Sequence, residues 1–256
     1  MSGLSLWPAT LTMLDYTLLQ IAAALLAAFG SAFVRGLTGF GMAILLVPIL
    51  ALALTPIDAV LLANFLSIFI GLSEIARLVR GAERSAWIIA GIVLLTAPVG
   101  FLALSMTGPG IARLVIALIA FSAFLAILLP RRPAAQPGMM ATGSVGVVSG
   151  LMTGYAGMPG PPVVPYYVGR DIPRETAKAS MMLIFTIAPF AGLATGAVMK
   201  VLDWQLGVLA LCLFPAVLIG NRLGDKASGR VGDTVWRSFV GIVLAGAAVA
   251  AFIRLL

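Results

Sequence analysis

The chain has 256 residues, of which 61% are hydrophobic and only 10% are charged, and its formal net charge is +7. A soluble globular surface needs about a quarter of its residues charged, so this composition excludes a water-soluble domain and predicts an all-α, polytopic membrane protein. One cysteine and no histidine exclude an internal disulfide, a Cys/His metal cluster and a Ser-His or Cys-His nucleophile.

Apolar runs separated by charge, glycine or proline predict five helical segments in the first half of the chain. They lie at about 15–34, 42–54, 57–79, 86–106 and 110–130. No basic residue precedes the first run, so we interpret it as a membrane helix and not as a cleaved leader. Five further segments are predicted at about 139–153, 161–169, 176–199, 204–222 and 232–254.

A stretch rich in proline and arginine, "PRRPAAQPG", separates these two groups of segments. We therefore predict a first membrane repeat at 1–130, a cytoplasmic link at 131–138 and a second membrane repeat at 139–256. The link is expected to be a surface connection, because its prolines and charges do not suit a membrane helix.

The basic residues follow the positive-inside rule. They cluster at 77–84, 131–132, 170–178 and 226–237, and an even number of predicted crossings separates these clusters. All four are therefore predicted to be cytoplasmic and both termini to lie outside, although Arg113 and Arg254 fit less well. Charge confined to short loops sets topology and does not indicate a nucleic-acid partner.

The two halves match each other in sequence. Pro48, Pro56 and Asp58 correspond to Pro165, Pro173 and Glu175 at an offset of 117. Equivalent loops nevertheless differ in charge, since the basic 77–84 corresponds to the poorly charged 200–203. Equivalent loops on opposite faces are typical of inverted-topology repeats, which many secondary transporters use. We predict two such repeats of about five segments each.

Two glycine clusters, "RGLTGFG" (35–41) and "TGYAGMPG" (153–160), precede the shortest segments. As helices those segments would span only ~20 Å and ~14 Å, so we predict broken or half-length helices, with re-entrant and tilted arrangements left open. Their N-termini would converge on a pocket near the repeat axis that binds an anion. The alternative role for the glycines is close helix packing.

The candidate substrate-binding residues surround this predicted pocket. They are Arg35, Thr38, Gly39, Gly41, Asn64, Tyr155, Gly157 and Gly160. Arg35 either faces the cavity or extends to the cytoplasmic interface. Asn64 shares a helix face with Ser67 and either contacts a ligand or bonds a neighbouring helix.

Carboxylates are the candidates for proton coupling. Glu74 is predicted to pair with Arg77, three residues further along the helix. No carboxylate has the pattern of a buried relay, so the coupling ion stays open, with a proton among the candidates. We predict no catalytic residue, no metal and no cofactor.

Three motifs carry a family resemblance: "GLTGFGMAILLVPIL" (36–50), "GLMTGYAGMPGPPVVP" (150–165) and "GNRLGD" (220–225). The chain resembles the sulfite exporter TauE/SafE family of bacterial membrane transporters over essentially its whole length. The resemblance implies a multi-pass protein of the bacterial cytoplasmic membrane that moves sulfite, an organosulfonate such as sulfoacetate, or a related small anion, often outward.

We expect a secondary transporter that works by alternating access, with one repeat rocking against the other. Its partners would be a small anion and membrane lipid, and its oligomeric state is left open. Two alternatives are a passive anion channel, which the same helix dipoles permit, and an intramembrane lipid-phosphate hydrolase. The hydrolase lacks the expected cluster of carboxylates and has no histidine.

Overall fold

A computed structural model of the protein describes residues 18–128, 137–168 and 170–227. This part of the chain forms ten helices and no β-strand, which confirms the all-α fold. The helices are α1 (Leu18–Thr38), α2 (Met42–Ala53), α3 (Pro56–Leu72), α4 (Ile75–Gly81), α5 (Arg84–Ser105), α6 (Pro109–Leu128), α7 (Met139–Ala156), α8 (Gly160–Val168), α9 (Arg174–Val198) and α10 (Trp204–Ala227). The predicted segment 232–254, both termini and most of the link lie outside the described residues.

Four of the described helices, α1, α5, α9 and α10, are long and apolar enough to cross a membrane. The pair α3 and α4 passes the same criteria together, and α2 and α6 are shorter apolar helices. A bundle with this many apolar helices of membrane length confirms a polytopic membrane protein. Whether α2 and α8 belong to re-entrant or tilted spans stays a prediction.

The predicted segment 57–79 is not one helix. It ends at Leu72 and resumes at Ile75 with a bend of 76°. The Ser73 hydroxyl donates to Ile70 O at 2.7 Å, which satisfies a carbonyl that the next helical turn would otherwise have used. The prediction missed the bend because the apolar pattern of this segment continues through it.

The helices α1 and α10 pack closely along small residues. A Cβ on Gly36 would collide with the backbone oxygen of Asn221, and a Cβ on Gly224 would collide with the backbone oxygen of Phe33. Glycine is therefore required at both positions for the two backbones to approach this closely. This contact joins the first helix of the first half to the fourth helical segment of the second half.

The helices α5 and α7 make the matching contact. A Cβ on Gly100 would collide with the backbone oxygen of Leu151, and one on Gly154 would collide with the backbone oxygen of Ala97. Here the fourth segment of the first half packs on the first helix of the second half. In each half the first helix thus packs on the fourth segment of the other half, while the repeat and its inverted topology stay predictions.

Two hydrophobic cores follow this exchange. One is built mainly from α1, α2, α3, α6 and α10, and the other mainly from α4, α5, α8 and α9. Each core contains one of the two short helices α2 and α8.

Loops at one end of the bundle are joined by ion pairs. Arg170 makes a two-pronged contact with Glu83, at 2.6 Å and 3.0 Å. Lys178 Nζ lies 3.6 Å from Asp225 Oδ1. Two of the clusters predicted to be cytoplasmic, at 77–84 and 170–178, therefore lie at one end. Which side of the membrane this end faces stays a prediction.

Arg113, which fitted the topology poorly, has a local role at the opposite end. Its Nε donates to Ala51 O at 2.6 Å, and its Nη2 lies 3.5 Å from Leu54 O. These carbonyls lie at the C-terminus of α2, where a helix carries its partial negative charge. Arg113 therefore stabilises the far end of the short helix whose N-terminus faces the pocket described next.

Candidate functional site

The first helix break lies between α1 and α2. Gly39 and Gly41 have φ of 84° and 94°, in the left-handed region that glycine enters without steric cost. The Thr38 hydroxyl lies 2.9 Å from Val34 O and 2.8 Å from Phe40 O. Thr38 and Gly39 therefore shape the turn, and neither lines the pocket.

The second break lies between α7 and α8. Gly157 has a φ of 65°, and its N–H donates to Thr153 O at 2.8 Å. The Ser149 hydroxyl donates to Pro159 O at 3.1 Å and so satisfies a carbonyl freed by the break. Irregular backbone inside a membrane protein is tolerated where protein groups replace the lost helical partners.

Both breaks line one pocket, which holds about 510 Å³ of free space when its open mouth is included. Residues 41–44 form one wall and residues 157–160 the other. Ser67 of α3 and Thr186 of α9 also line it. The N-cap residue of α2 is Gly41, which has no side chain to accept from the first N–H groups of the helix, so these groups can donate to a ligand.

Arg35 is the one charged residue among the described residues that line this pocket. It is 7% exposed. Its Nη1 donates to Asn221 Oδ1 at 2.7 Å, and its Nη2 donates to Glu74 Oε2 at 3.2 Å. Arg35 therefore lines the pocket as a buried residue, while its predicted contact with substrate stays a prediction.

Glu74 lies at the bend between α3 and α4. It pairs with Arg77 at 3.6 Å, which confirms the predicted contact, and with Arg35 at 3.2 Å, which the prediction missed. Asn221 Nδ2 adds a contact to Glu74 Oε1 at 3.4 Å. The Arg35 pairing joins residues 39 positions apart, and helix spacing cannot reveal a contact of that kind.

Asn64 lies behind the second break. It is 1% exposed, and neither its Oδ1 nor its Nδ2 has a hydrogen-bond partner in the described part of the chain. A Cβ added to Gly157 would lie 3.7 Å from Asn64 Oδ1. The alternative role of Asn64, a hydrogen bond between helices, is therefore not seen among the described residues. Its amide lies behind Gly157, which forms part of the pocket wall.

The structure brings half of the predicted site residues to the pocket surface. Arg35, Gly41, Gly157 and Gly160 line it, and Asn64 lies directly behind. Tyr155 does not line the pocket, because its side chain packs against the hydrophobic core of α1, α2 and α3.

Ser67 and Thr186 were left out of the predicted site. The sequence did indicate Ser67, because it lies one turn from the predicted site residue Asn64 on α3. Thr186 is already engaged, since its hydroxyl donates to Met182 O at 2.8 Å. Ser67 is thus the better placed of the two hydroxyls to contact a ligand.

The family model described as Sulfite exporter TauE/SafE matches residues 24–251. The chain belongs to the TauE/SafE family. This confirms the resemblance carried by the glycine motifs, and it makes the chain a membrane transport protein of a family that exports sulfite-type anions. Comparison with curated proteins and with solved structures found no match.

Proposed function

We propose that this TauE/SafE protein is a secondary transporter of a small sulfur-containing anion, either sulfite or an organosulfonate such as sulfoacetate. It works by alternating access, as an exporter, in the bacterial cytoplasmic membrane, surrounded by lipid. The observation that carries the proposal is the pocket where Arg35 and the uncapped N-terminus of α2 meet the second helix break.

The chemistry of this pocket suits an oxyanion. The N–H groups of Met42, Ala43 and Ile44 open α2, and a helix N-terminus has a partial positive charge of about half a unit. A guanidinium offers paired donors that match two oxygens of a planar or tetrahedral anion. The Ser67 hydroxyl adds a neutral donor, and Ile44 and Phe185 provide apolar surface for the carbon of a sulfonate.

The closed end of the pocket supports a carrier in preference to a passive channel. Beyond Gly157 lie Val47 and Val60, both wholly buried, and the buried Asn64. Within the described residues, the pocket wall includes none from the far-end loops at 55–58 or 200–203. A pocket that stops inside the bundle must reopen on the other side, and this is the defining step of alternating access.

The packing suggests which parts move. Rocking one repeat against the other would separate α1 from α10 and α5 from α7, the two glycine contacts in which backbones touch. We infer instead that α1, α2, α3 and α10 form one body and that α5, α7, α8 and α9 form the other. Each body combines helices from both halves, and the pocket lies between them.

Flux into proteoliposomes tests the transport proposal. Vesicles that contain the purified full chain should take up labelled sulfite, sulfoacetate or thiosulfate faster than protein-free vesicles. Uptake against a concentration gradient, driven by an imposed proton or voltage gradient, supports a transporter. Flux that only dissipates the anion gradient identifies a channel, and no flux of any of the three overturns the proposed substrate class.

A further inference from the structure

The charge of Arg35 is already occupied in this structure. Glu74 holds one arm of the guanidinium and Asn221 holds the other, so an anion that enters the pocket meets a neutralised arginine. A buried ion pair of this kind is weak evidence for stability, since desolvation offsets most of its attraction. Its position beside the pocket indicates a different role.

We propose that Glu74 is the internal counter-ion of the transport site: it competes with the transported anion for Arg35, so that protonation of Glu74 and binding of the anion favour each other. This inference rests on the proposed function. It names a proton as the coupled ion and Glu74 as the residue that receives it.

The geometry leaves Glu74 open to a proton. Its side chain is 22% exposed, whereas that of Arg35 is 8% exposed. It also lies at the bend between α3 and α4, near the end of the bundle where the charged loops meet. The carboxylate is therefore the more accessible partner of the pair, while the guanidinium is enclosed by the protein.

The other groups around Glu74 do not replace it in this role. Arg35 faces it from α1, Asn221 from α10, and Arg77 from α4. On α9, which packs against α4, Lys178 pairs with Asp225 of α10. Among these groups, Glu74 is the carboxylate that touches the pocket arginine, so its charge decides whether Arg35 is free.

Competition for one guanidinium couples the two ligands reciprocally. The coupling must appear in anion affinity as a difference of roughly tenfold between ionised and protonated Glu74, which is within the range typical of linked sites.

The test uses methanesulfonate, which stays a monoanion across the whole pH range, so that pH acts only on the protein. Its dissociation constant is measured calorimetrically with the purified full chain at about pH 4.5 and about pH 8. For the unchanged protein we expect binding to be tighter at the acidic pH, by up to about tenfold. For Glu74→Gln we expect tight binding at both pH values. Glu74→Asp keeps a carboxylate and should therefore keep the dependence of binding on pH.

Asp58→Asn is the matched control. Asp58 is a carboxylate at the other end of α3, where it accepts from the Thr55 hydroxyl at 2.6 Å, and it does not line the pocket. Its loss should leave the pH profile unchanged.

The outcomes separate the two proposals. An unchanged protein that binds methanesulfonate equally at both pH values overturns the role of Glu74 and leaves the anion site standing. The same follows if Glu74→Gln keeps the original pH dependence or binds more weakly at both values. Failure of the unchanged protein and of Glu74→Gln to bind methanesulfonate, sulfite or sulfoacetate at either pH overturns both proposals.

Discussion

The two helix breaks use the same backbone device with different electrostatics. Each ends a long helix at a glycine with positive φ and starts a short helix at the shared pocket. The first break has the buried charge of Arg35 beside it. At the corresponding place the second has Thr153, whose hydroxyl donates to Ser149 O within its own helix at 2.6 Å.

The short helices also differ in the donors that they present. The first residues of α2 all carry an N–H, whereas α8 begins with Gly160 followed by Pro161 and Pro162, which have none. Two halves that match in sequence have therefore diverged in role. In the proposed function, the first break supplies the positive potential for the anion, and the second supplies the pocket wall behind which Asn64 lies.

Removal of the charge from the first break should have the largest effect. We expect Arg35→Ala to lower anion flux by roughly 10- to 100-fold, because it deletes a charged donor from the pocket. Thr153→Val, the matched change at the second break, should alter flux by less than about twofold, since that hydroxyl serves only its own helix. Initial uptake rates in proteoliposomes measure both.

Equal losses in the two variants would contradict the division of roles between the breaks. Arg35→Lys provides a further control, because it keeps the charge but loses the two-pronged geometry of the guanidinium. Its flux should lie between that of the unchanged protein and that of Arg35→Ala. The melting temperature of each variant shows whether folding, and not the pocket, has been affected.

Asn64 should reveal a conflict between stability and function at the second break. Asn64→Leu removes a buried amide that has no partner among the described residues, so we expect the variant to be more stable by about 1–3 kcal/mol. Flux should fall by roughly tenfold if the amide contacts the substrate. Thermal unfolding and flux are measured on the same preparation, and a stabilised variant with full flux would show that Asn64 has no part in transport.

The glycines of the two breaks should differ slightly in their tolerance of alanine. Gly39→Ala and Gly157→Ala each force a side chain into the left-handed region, at about 1–2 kcal/mol. At Gly39 the new methyl group also meets the Lys178 side chain at 2.9 Å, whereas at Gly157 its nearest neighbour is 3.5 Å away. Gly39→Ala should therefore be the less stable variant in thermal unfolding.

The added variant Lys178→Ala tests this cause directly. In the Gly39→Ala background it should raise the melting temperature to about that of Gly157→Ala. Gly91→Ala is the neutral control, because a Cβ there meets nothing within 4 Å and its helix gains a better helix former. If Lys178→Ala does not raise the melting temperature of Gly39→Ala, the contact with Lys178 does not explain the difference between the two breaks.

Much of this arrangement could be predicted because it depends on local chemistry. Both breaks could be located because each glycine cluster precedes a segment too short to cross a bilayer. The shared pocket was predicted from the expectation that the two breaks converge. The ion pair between Glu74 and Arg77 could be predicted because side chains three residues apart lie on the same face of a helix. Composition alone was sufficient for the all-α membrane fold.

The remaining features depend on contacts between distant parts of the chain. The partner of Arg35 on α10 lies 186 positions away, and no local pattern reports such a pairing. Tyr155 was predicted to reach the pocket because it lies inside a glycine cluster, yet the rotation of α7 turns it toward the core. The bend after α3 was hidden by an apolar pattern that continues on both sides.

The contact between α1 and α10 has a consequence for how the protein is made. A ribosome adds about 5–20 residues per second, so the 186 positions between Arg35 and Asn221 correspond to roughly 10–40 s of synthesis. During that interval the newly inserted α1 exposes its small-residue face to lipid, with Glu74 as the earliest partner for its charge. The close backbone contact of α1 with α10 can therefore form only late in synthesis, and a chain truncated before α10 lacks it.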